Sequence, residues 1–423
     1  MEITVNRTNM KHSNNGLLLV AYYYPPNNNG GTARPMAFRK FLSNYEFNIT
    51  VATTENEGRI QGECNILRLP SLEWTMHTSG KKWWIIRKIR GLLHLLGIII
   101  NDFPFWTREV VKEVLAAEVK PIAVISTYPP IANMIVGYKI STILGIPLVL
   151  DFRDGFCVNS LKKAFGLQKW RNLWLEKRIV SRAELVITVA DSLTTYYRNL
   201  SSNGNVITIP NGFDSEMLAS ITPDKSIYVD GKINFVFTGR LSKSRKTVKA
   251  DSLIDAVDRL HKDEKEQIIF HMIGEFSDEE MRMFNMDNRS SIFKTMGKVS
   301  QVQSLSYQAG ADYLLQINDL SKDAISGKVY EYIGIGRPIL ALSKGTVAGD
   351  IIEKTGTGIC VSANDPDEIM NALREIIHSF PKLIKSHKPN LLEICKYSRK
   401  EQMKILANHL HELLEKDVFN ETH

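Results

Sequence analysis

Cysteine is scarce in this chain. Its four cysteines, Cys64, Cys157, Cys360 and Cys395, stand far apart and form no CxxC pair. That spacing argues against a zinc site or a disulfide framework and suits a reducing cytosol. A secretory leader is also missing: residues 1–16, MEITVNRTNMKHSNNG, are polar, without an apolar h-region, and read as a frayed terminus. No GxGxxG follows the first apolar run, so the dinucleotide fingerprint is absent. No short repeat recurs. Acid is in deficit, with 46 Asp and Glu against 53 Lys and Arg, a net charge of +7. Such a balance suits an anionic partner, whether nucleotide, nucleic acid or acidic membrane, and is equally met in chains where it means little. The cations cluster after strands rather than on an aromatic–basic surface, which speaks against nucleic acid.

The chain does have ordinary globular composition, with 43% hydrophobic and 23% charged residues over 423 positions. At roughly 100–200 residues per domain, two domains are expected. Short β-branched runs alternate with helical spacing: GLLLVAYYY (16–24), NITVATT (48–54), IAVIST (122–127), IPLVLDF (146–152), LVITVA (185–190) and VITIP (206–210). A second series runs through INFVFTGRL (233–241), IIFHMIG (268–274), SIFKTMG (291–297), ADYLLQI (311–317), RPILALS (337–343) and GICVS (358–362). Alternating βα units of this kind predict an α/β chain of two Rossmann-like, doubly wound domains. The boundary falls at IPNGFD, giving domains 1–212 and 213–396. The amphipathic tail from Tyr397, within 397–423, forms a last helix. Ligands of open α/β sheets lie beyond the carboxyl ends of strands, so two facing domains would enclose one in a cleft.

The chemistry-bearing residues are sought there. Gly30 and Gly31 follow the first strand and let backbone approach a ligand. DFRD puts Asp151, Arg153 and Asp154 at a strand end, where they either line the cleft or form a structural ion pair. TGRLSKSRK brings Arg240, Lys243, Arg245 and Lys246 after another strand. A guanidinium fork and an ammonium together match a diphosphate, and Arg240, directly after the strand, is the first candidate. SGKVYEYIGIGRPIL reads as an N-cap at Ser326, a helix, a stop at Gly336 and a strand opened by Pro338. The amides of Gly327, Lys328 and Val329 would point at an anion. Glu331, one turn in, would accept from sugar hydroxyls such as a ribose diol. SGKV is not a P-loop, since Val follows the lysine and Lys322 stands where the first glycine belongs.

Taken in order, YYYPPNNNGGTARP, STYPP, DFRD, IPNGFD, FTGRL, SGKVYEYIGIGRPIL and GTGICV resemble the GT-B-fold glycosyltransferases of family 4, over nearly the whole chain. The likeness is closest to the bacterial surface polysaccharide and lipopolysaccharide branch. It implies retaining transfer of a sugar from a nucleotide-diphosphate sugar to an acceptor hydroxyl. By that resemblance Arg240 and Lys246 hold the donor diphosphate and Glu331 the ribose. Gly30 and Gly31 border the phosphate and the acceptor. Arg245, Glu275 and Asp323 join the donor side, Asp323 standing eight residues before Glu331 where the family often has a first glutamate. Many members place a histidine soon after the PP. Here PPIANMIVG offers Asn133, which cannot act as a base, leaving Asp151 or Asp154, with Arg153, on the acceptor side. No cofactor and no metal are implied, because the cations stabilise the leaving diphosphate and no DxD stands beside a strand. The tail helix would rest on the first domain.

KKWWIIRKIRGLLHLLGIII (81–100) mixes five cations with Trp83, Trp84 and many aliphatics. Its apolar part is shorter than the roughly 20 residues of a spanning helix. It reads as a helix in the headgroup layer, which would put the protein on the cytoplasmic face of a membrane, facing a lipid-linked acceptor. The alternatives are a nucleotide-sugar 2-epimerase, which has no use for such a segment, and a catalytically inactive nucleotide-sugar-binding scaffold, which has no need of Arg240 and Glu331.

Overall fold

The structure is a computed structural model describing residues 16–27, 31–55, 58–60, 62–73, 84–96, 98–158, 166–241, 250–286, 289–317 and 327–421. The chain forms two compact units, Met1–Asn211 with Gln402–His423, and Gly212–Glu401.

In the first unit, strands β1 (Gly16–Val20), β2 (Asn48–Thr54), β3 (Ile66–Leu69), β4 (Ala123–Tyr128), β5 (Leu148–Phe152), β6 (Leu185–Thr188) and β7 (Val206–Thr208) form one parallel sheet. Their order is β3-β2-β1-β4-β5-β6-β7, so the winding reverses between β1 and β4. The helices are α1 (Ala33–Leu42), α2 (Trp84–Leu95), α3 (Pro104–Ala116), α4 (Ile131–Leu144), α5 (Gly166–Val180) and α6 (Asp191–Arg198). The apolar runs are continuous because both faces are covered. Leu18 and Val20 of β1 enter a core with Trp106 of α3, Met134 of α4 and Ile179 of α5. Leu17 and Leu19 point the other way, to Phe38 and Phe41 of α1. β3 is too short and polar-flanked to stand out in the sequence.

The second unit repeats the plan with β8 (Ile233–Gly239), β9 (Ile268–Gly274), β10 (Phe293–Met296), β11 (Tyr313–Ile317), β12 (Ile339–Leu342) and β13 (Gly358–Val361), ordered β10-β9-β8-β11-β12-β13. Its helices are α7 (Ser215–Ala219), α8 (Asp251–Asp258), α9 (Lys262–Glu266), α10 (Asp278–Asn285), α11 (Gln301–Gly310), α12 (Gly327–Ile335), α13 (Val347–Thr355), α14 (Pro366–Ser386) and α15 (Leu391–Cys395). Phe235, Phe270 and Phe293 stack across three strands beneath α8 and α14. Val236 and Ile273 face α12 and α13 on the other side.

The last helix, α16, runs Arg399–Glu421 and starts two residues later than its apolar spacing suggests. Tyr397 and Ser398 are held instead by Phe213. The Phe213 N–H donates to the Tyr397 carbonyl, and Arg399 N–H donates to the Phe213 carbonyl, both at 2.9 Å. Residues 397–401 accordingly group with the second unit, while Met403, Leu406, Ala407 and Leu410 enter the first unit's core.

Candidate functional site

In the second unit the described candidate residues lie at or just after the carboxyl ends of the strands. β8 and β9 end in register at Gly239 and Gly274. Gly274 has φ +147°, and a Cβ there would lie 1.7 Å from the Gly239 carbonyl oxygen. Gly274 must lack a Cβ for the strand ends to approach this closely, and Gly239 has a φ of +139°, which favours glycine there too. The next residues are Arg240 and Glu275, whose side chains pair at 2.6 Å. Arg240 is 51% exposed and Glu275 39%, so the pair is in water and exchangeable. Glu275, read as a donor ligand, is in this state the partner of Arg240.

A buried network stands behind Arg240. The Tyr332 hydroxyl accepts from the Thr238 N–H at 3.1 Å, and Gln308 Nε2 donates to Thr238 Oγ1 at 2.8 Å and to Ser304 Oγ at 3.1 Å. Burial pushes the Tyr332 phenol up to about 12, so it stays a neutral hydroxyl. Tyr332 belongs to α12 and Thr238 to β8, so the network fastens the helix bearing Glu331 to the strand bearing Arg240. Neither Thr238, Tyr332 nor Gln308 stands out in the sequence as anything but core; only the tyrosine's place beside Glu331 hints at it.

α12 begins at Gly327. In its first turn the amides of Gly327, Lys328 and Val329 have no acceptor within the helix. Val329 is buried and offers backbone alone. Lys328 Nζ donates to Glu331 Oε2 at 3.3 Å, the two sharing one helix face at i and i+3. Both are partly exposed. Gly336, with φ +75°, stops the helix. Ser326, Asp323, Lys243, Arg245, Lys246 and Gly30 lie outside the described residues, as do Lys81, Lys82 and Trp83.

The first unit overturns several expectations. Asp151 is fully buried. Its Oδ1 accepts from Arg34 Nε and its Oδ2 from Thr127 Oγ1, each at 2.8 Å, while Arg34 Nη1 donates to the Pro210 carbonyl at 3.0 Å. This is a structural ion pair made with Arg34, not with Arg153. A buried guanidinium demands such a partner. Asn133 is buried too: its Oδ1 accepts from the Tyr22 N–H at 3.1 Å and its Nδ2 donates to the Thr127 carbonyl at 2.7 Å. An amide both accepts and donates, so it ties the segment after β1 to β4, and its burial keeps the rest of the side chain out of reach of an acceptor. Arg153 donates to three carbonyls, Gly31 at 2.5 Å, Pro129 at 2.9 Å and Tyr128 at 3.2 Å. Burial pushes its guanidinium below the ordinary value, against the pull of Asp151. It braces the strand-end loops, with Gly31 as one of its acceptors. Asp154 alone of the DFRD acids is exposed.

A recess of about 630 Å³ in the second unit is lined by Phe213, Leu218, Ile221, Pro223, Arg337 and His387. It adjoins the amino ends of β11 and β12, opposite the end that carries Arg240. Among the described residues no three His, Cys, Asp or Glu side chains could jointly hold a metal ion. Among them, too, no helix is long and apolar enough to cross a membrane.

Residues 232–379 match a family model described as Glycosyl transferases group 1. No curated protein matches the sequence. Solved structures do resemble the fold. An Anabaena HepE protein in complex with UDP has a TM-score of 0.62 at 14% identity, covering 94% of this chain and 99% of its own. Sucrose-phosphate synthase from Thermosynechococcus elongatus reaches 0.65 at 14%, covering 95% and 99%. A putative UDP-N-acetylglucosamine 2-epimerase from Listeria monocytogenes reaches 0.57 at 11%, covering 95% and 98%. The fold is of GT-B type, two Rossmann-like domains in one chain.

Proposed function

We propose that the protein is a retaining glycosyltransferase, moving a sugar from a nucleotide-diphosphate sugar to an acceptor hydroxyl. The observation that carries this reading lies within the matched region. It is a strand-end cation, Arg240, fastened through Thr238 and Tyr332 to the helix that bears Glu331. In the reaction the bond from the anomeric carbon to the diphosphate breaks, and negative charge grows on the leaving oxygens as it does so. The acceptor oxygen bonds to that carbon and gives up its proton to the leaving diphosphate. Arg240 would leave Glu275 for that diphosphate. The amides of Gly327, Lys328 and Val329 would add oriented donors, and Lys246 a second cation. Glu331 would accept from the ribose diol. No metal is needed in this scheme. UDP is the first nucleotide to try, because the HepE protein was also solved with UDP-glucose.

On the acceptor side Asp154 is the acid of DFRD in reach of solvent. The acceptor is proposed to be a lipid-linked saccharide of bacterial polysaccharide assembly, met at the cytoplasmic face of a membrane. Residues 81–100 would supply the contact. In its described part Trp84, Ile89 and Leu92 of α2 are exposed, and Lys88 Nζ lies 4.1 Å from the Trp84 ring centroid. A 2-epimerase is the second reading, favoured by the likeness to the Listeria structure.

The test is ligand-observed NMR with UDP-, GDP-, dTDP- and CMP-sugars on wild type, Arg240→Ala and Glu331→Ala. One diphosphate class should bind, and each variant should weaken it by about 10–100-fold, the worth of a charged hydrogen bond. Binding of none, by folded protein, would sink the transferase reading. Conversion of the bound sugar with no acceptor present would favour the epimerase.

A further inference from the structure

We infer that the outer face of α5 is a docking surface for an anionic lipid bilayer, separate from the contact proposed for residues 81–100 and independent of it. The inner face of this helix is already satisfied. Ile179 and Val180 are buried in the core. Glu176, its only acid, is 2% exposed. One of its oxygens accepts from the Tyr196 hydroxyl at 2.6 Å, and the other from the Tyr197 hydroxyl at 2.9 Å and the Cys157 N–H at 3.3 Å. At about 100° per residue, Leu167, Trp170 and Trp174 fall within an arc of roughly 60° on the far side from Glu176. They are 59%, 64% and 51% exposed.

Single exposed apolar residues are ordinary, but two indoles and a leucine on one helical stripe are not. The stripe is flanked by Arg171, Lys177 and Arg178, with no exposed acid on the helix. The Arg178 guanidinium lies 5.2 Å from the Trp174 ring centroid, and its Nε donates to the Tyr138 hydroxyl at 2.9 Å, which holds cation and indole side by side. Indoles with cations beside them are the composition that settles at the headgroup boundary of acidic membranes. A second copy of the chain fits poorly. A two-fold contact through this stripe would bring the cations of one helix against those of the other with no exposed acid on the helix to answer them, on a chain already at +7.

The experiment is co-sedimentation of the full chain with phosphatidylcholine vesicles carrying increasing phosphatidylglycerol. Wild type should bind more as the anionic fraction rises and less as salt screens the surface. Trp170→Ser with Trp174→Ser should weaken partitioning by about tenfold or more, as expected for two half-buried indoles. Arg171→Glu with Lys177→Glu should remove the dependence on phosphatidylglycerol, and serves if the indole variant does not fold. Trp84→Ser with Leu92→Ser is the comparison. If that variant alone loses binding, the α5 proposal fails and the contact at 81–100 stands. If only the α5 variants lose it, the reverse holds. Wild type that ignores every vesicle overturns the α5 proposal, and nucleotide-sugar binding measured alongside shows that the donor site is untouched by that outcome.

Discussion

An acid at a strand end can serve a ligand only if the ligand can reach it. Asp151 is buried with both oxygens bonded, to Arg34 and Thr127, whereas Asp154, three residues later, has an exposed side chain. Asp151→Asn should leave the Arg34 guanidinium buried beside a neutral amide and cost about 3–5 kcal/mol. A lowered urea midpoint would show it, with donor binding intact in whatever protein remains folded. An unchanged midpoint would return Asp151 to the list of acceptor contacts. The strand-end rule singles out the DFRD stretch but does not separate its two acids. Asp151 is sorted by Arg34, which is 117 positions away and invisible to local pattern. Asn133 follows the same logic. Its sequence place suggested a substitute for a catalytic group, and its hydrogen bonds make it a tie between strands.

The element that matters most is the paired end of β8 and β9. Their continuous apolar runs are legible in the sequence because both faces of a parallel sheet are buried, and β9 ends at Gly274 as its pattern indicates. What is not legible is that Gly239 and Gly274 press together, since register between strands is set by the whole sheet. A methyl at position 274 would meet a backbone carbonyl, which cannot rotate away, at a φ that L-residues avoid. Gly274→Ala should therefore cost about 1–3 kcal/mol and spread the strand ends. Because Arg240 and Glu275 follow immediately, nucleotide-sugar binding should weaken with stability. Titration beside thermal unfolding checks this, and a variant that loses neither would mean the strand ends are looser than described. The helix mouth was readable from glycine, lysine and glutamate spacing. The Tyr332–Thr238–Gln308 network was not, because a buried tyrosine looks like packing until its hydroxyl finds a partner.

At the scale of the whole molecule, the two units depend on the tail unequally. The tail's amphipathic spacing is plain in the sequence; its starting point is hidden, because Phe213 claims Tyr397 and Ser398 by backbone pairing. Met403, Leu406, Ala407 and Leu410 sit in the first unit's core, and Phe47 stacks on His411 at 4.6 Å. Ending the chain at Glu401 would strip several large core side chains, each worth about 2–5 kcal/mol, from a unit whose net stability is of order 5–15 kcal/mol. The first unit should unfold and the second survive. Limited proteolysis should leave a resistant fragment starting near Gly212, and full-length resistance in the truncated chain would refute the assignment of α16 to the first core.

The position of α16 also sets an order in time. The first sheet leaves the ribosome early, yet the helix that closes its second face emerges only after the entire second unit has been made. Synthesis at roughly 5–20 residues per second leaves that face covered by α1 but without α16 for about 10–40 s. During that interval Leu17, Leu19, Ile49 and Val51, which line it in the finished protein, have only α1 of their two helical covers, so a nascent-chain holdase is of most use to this protein before α16 appears.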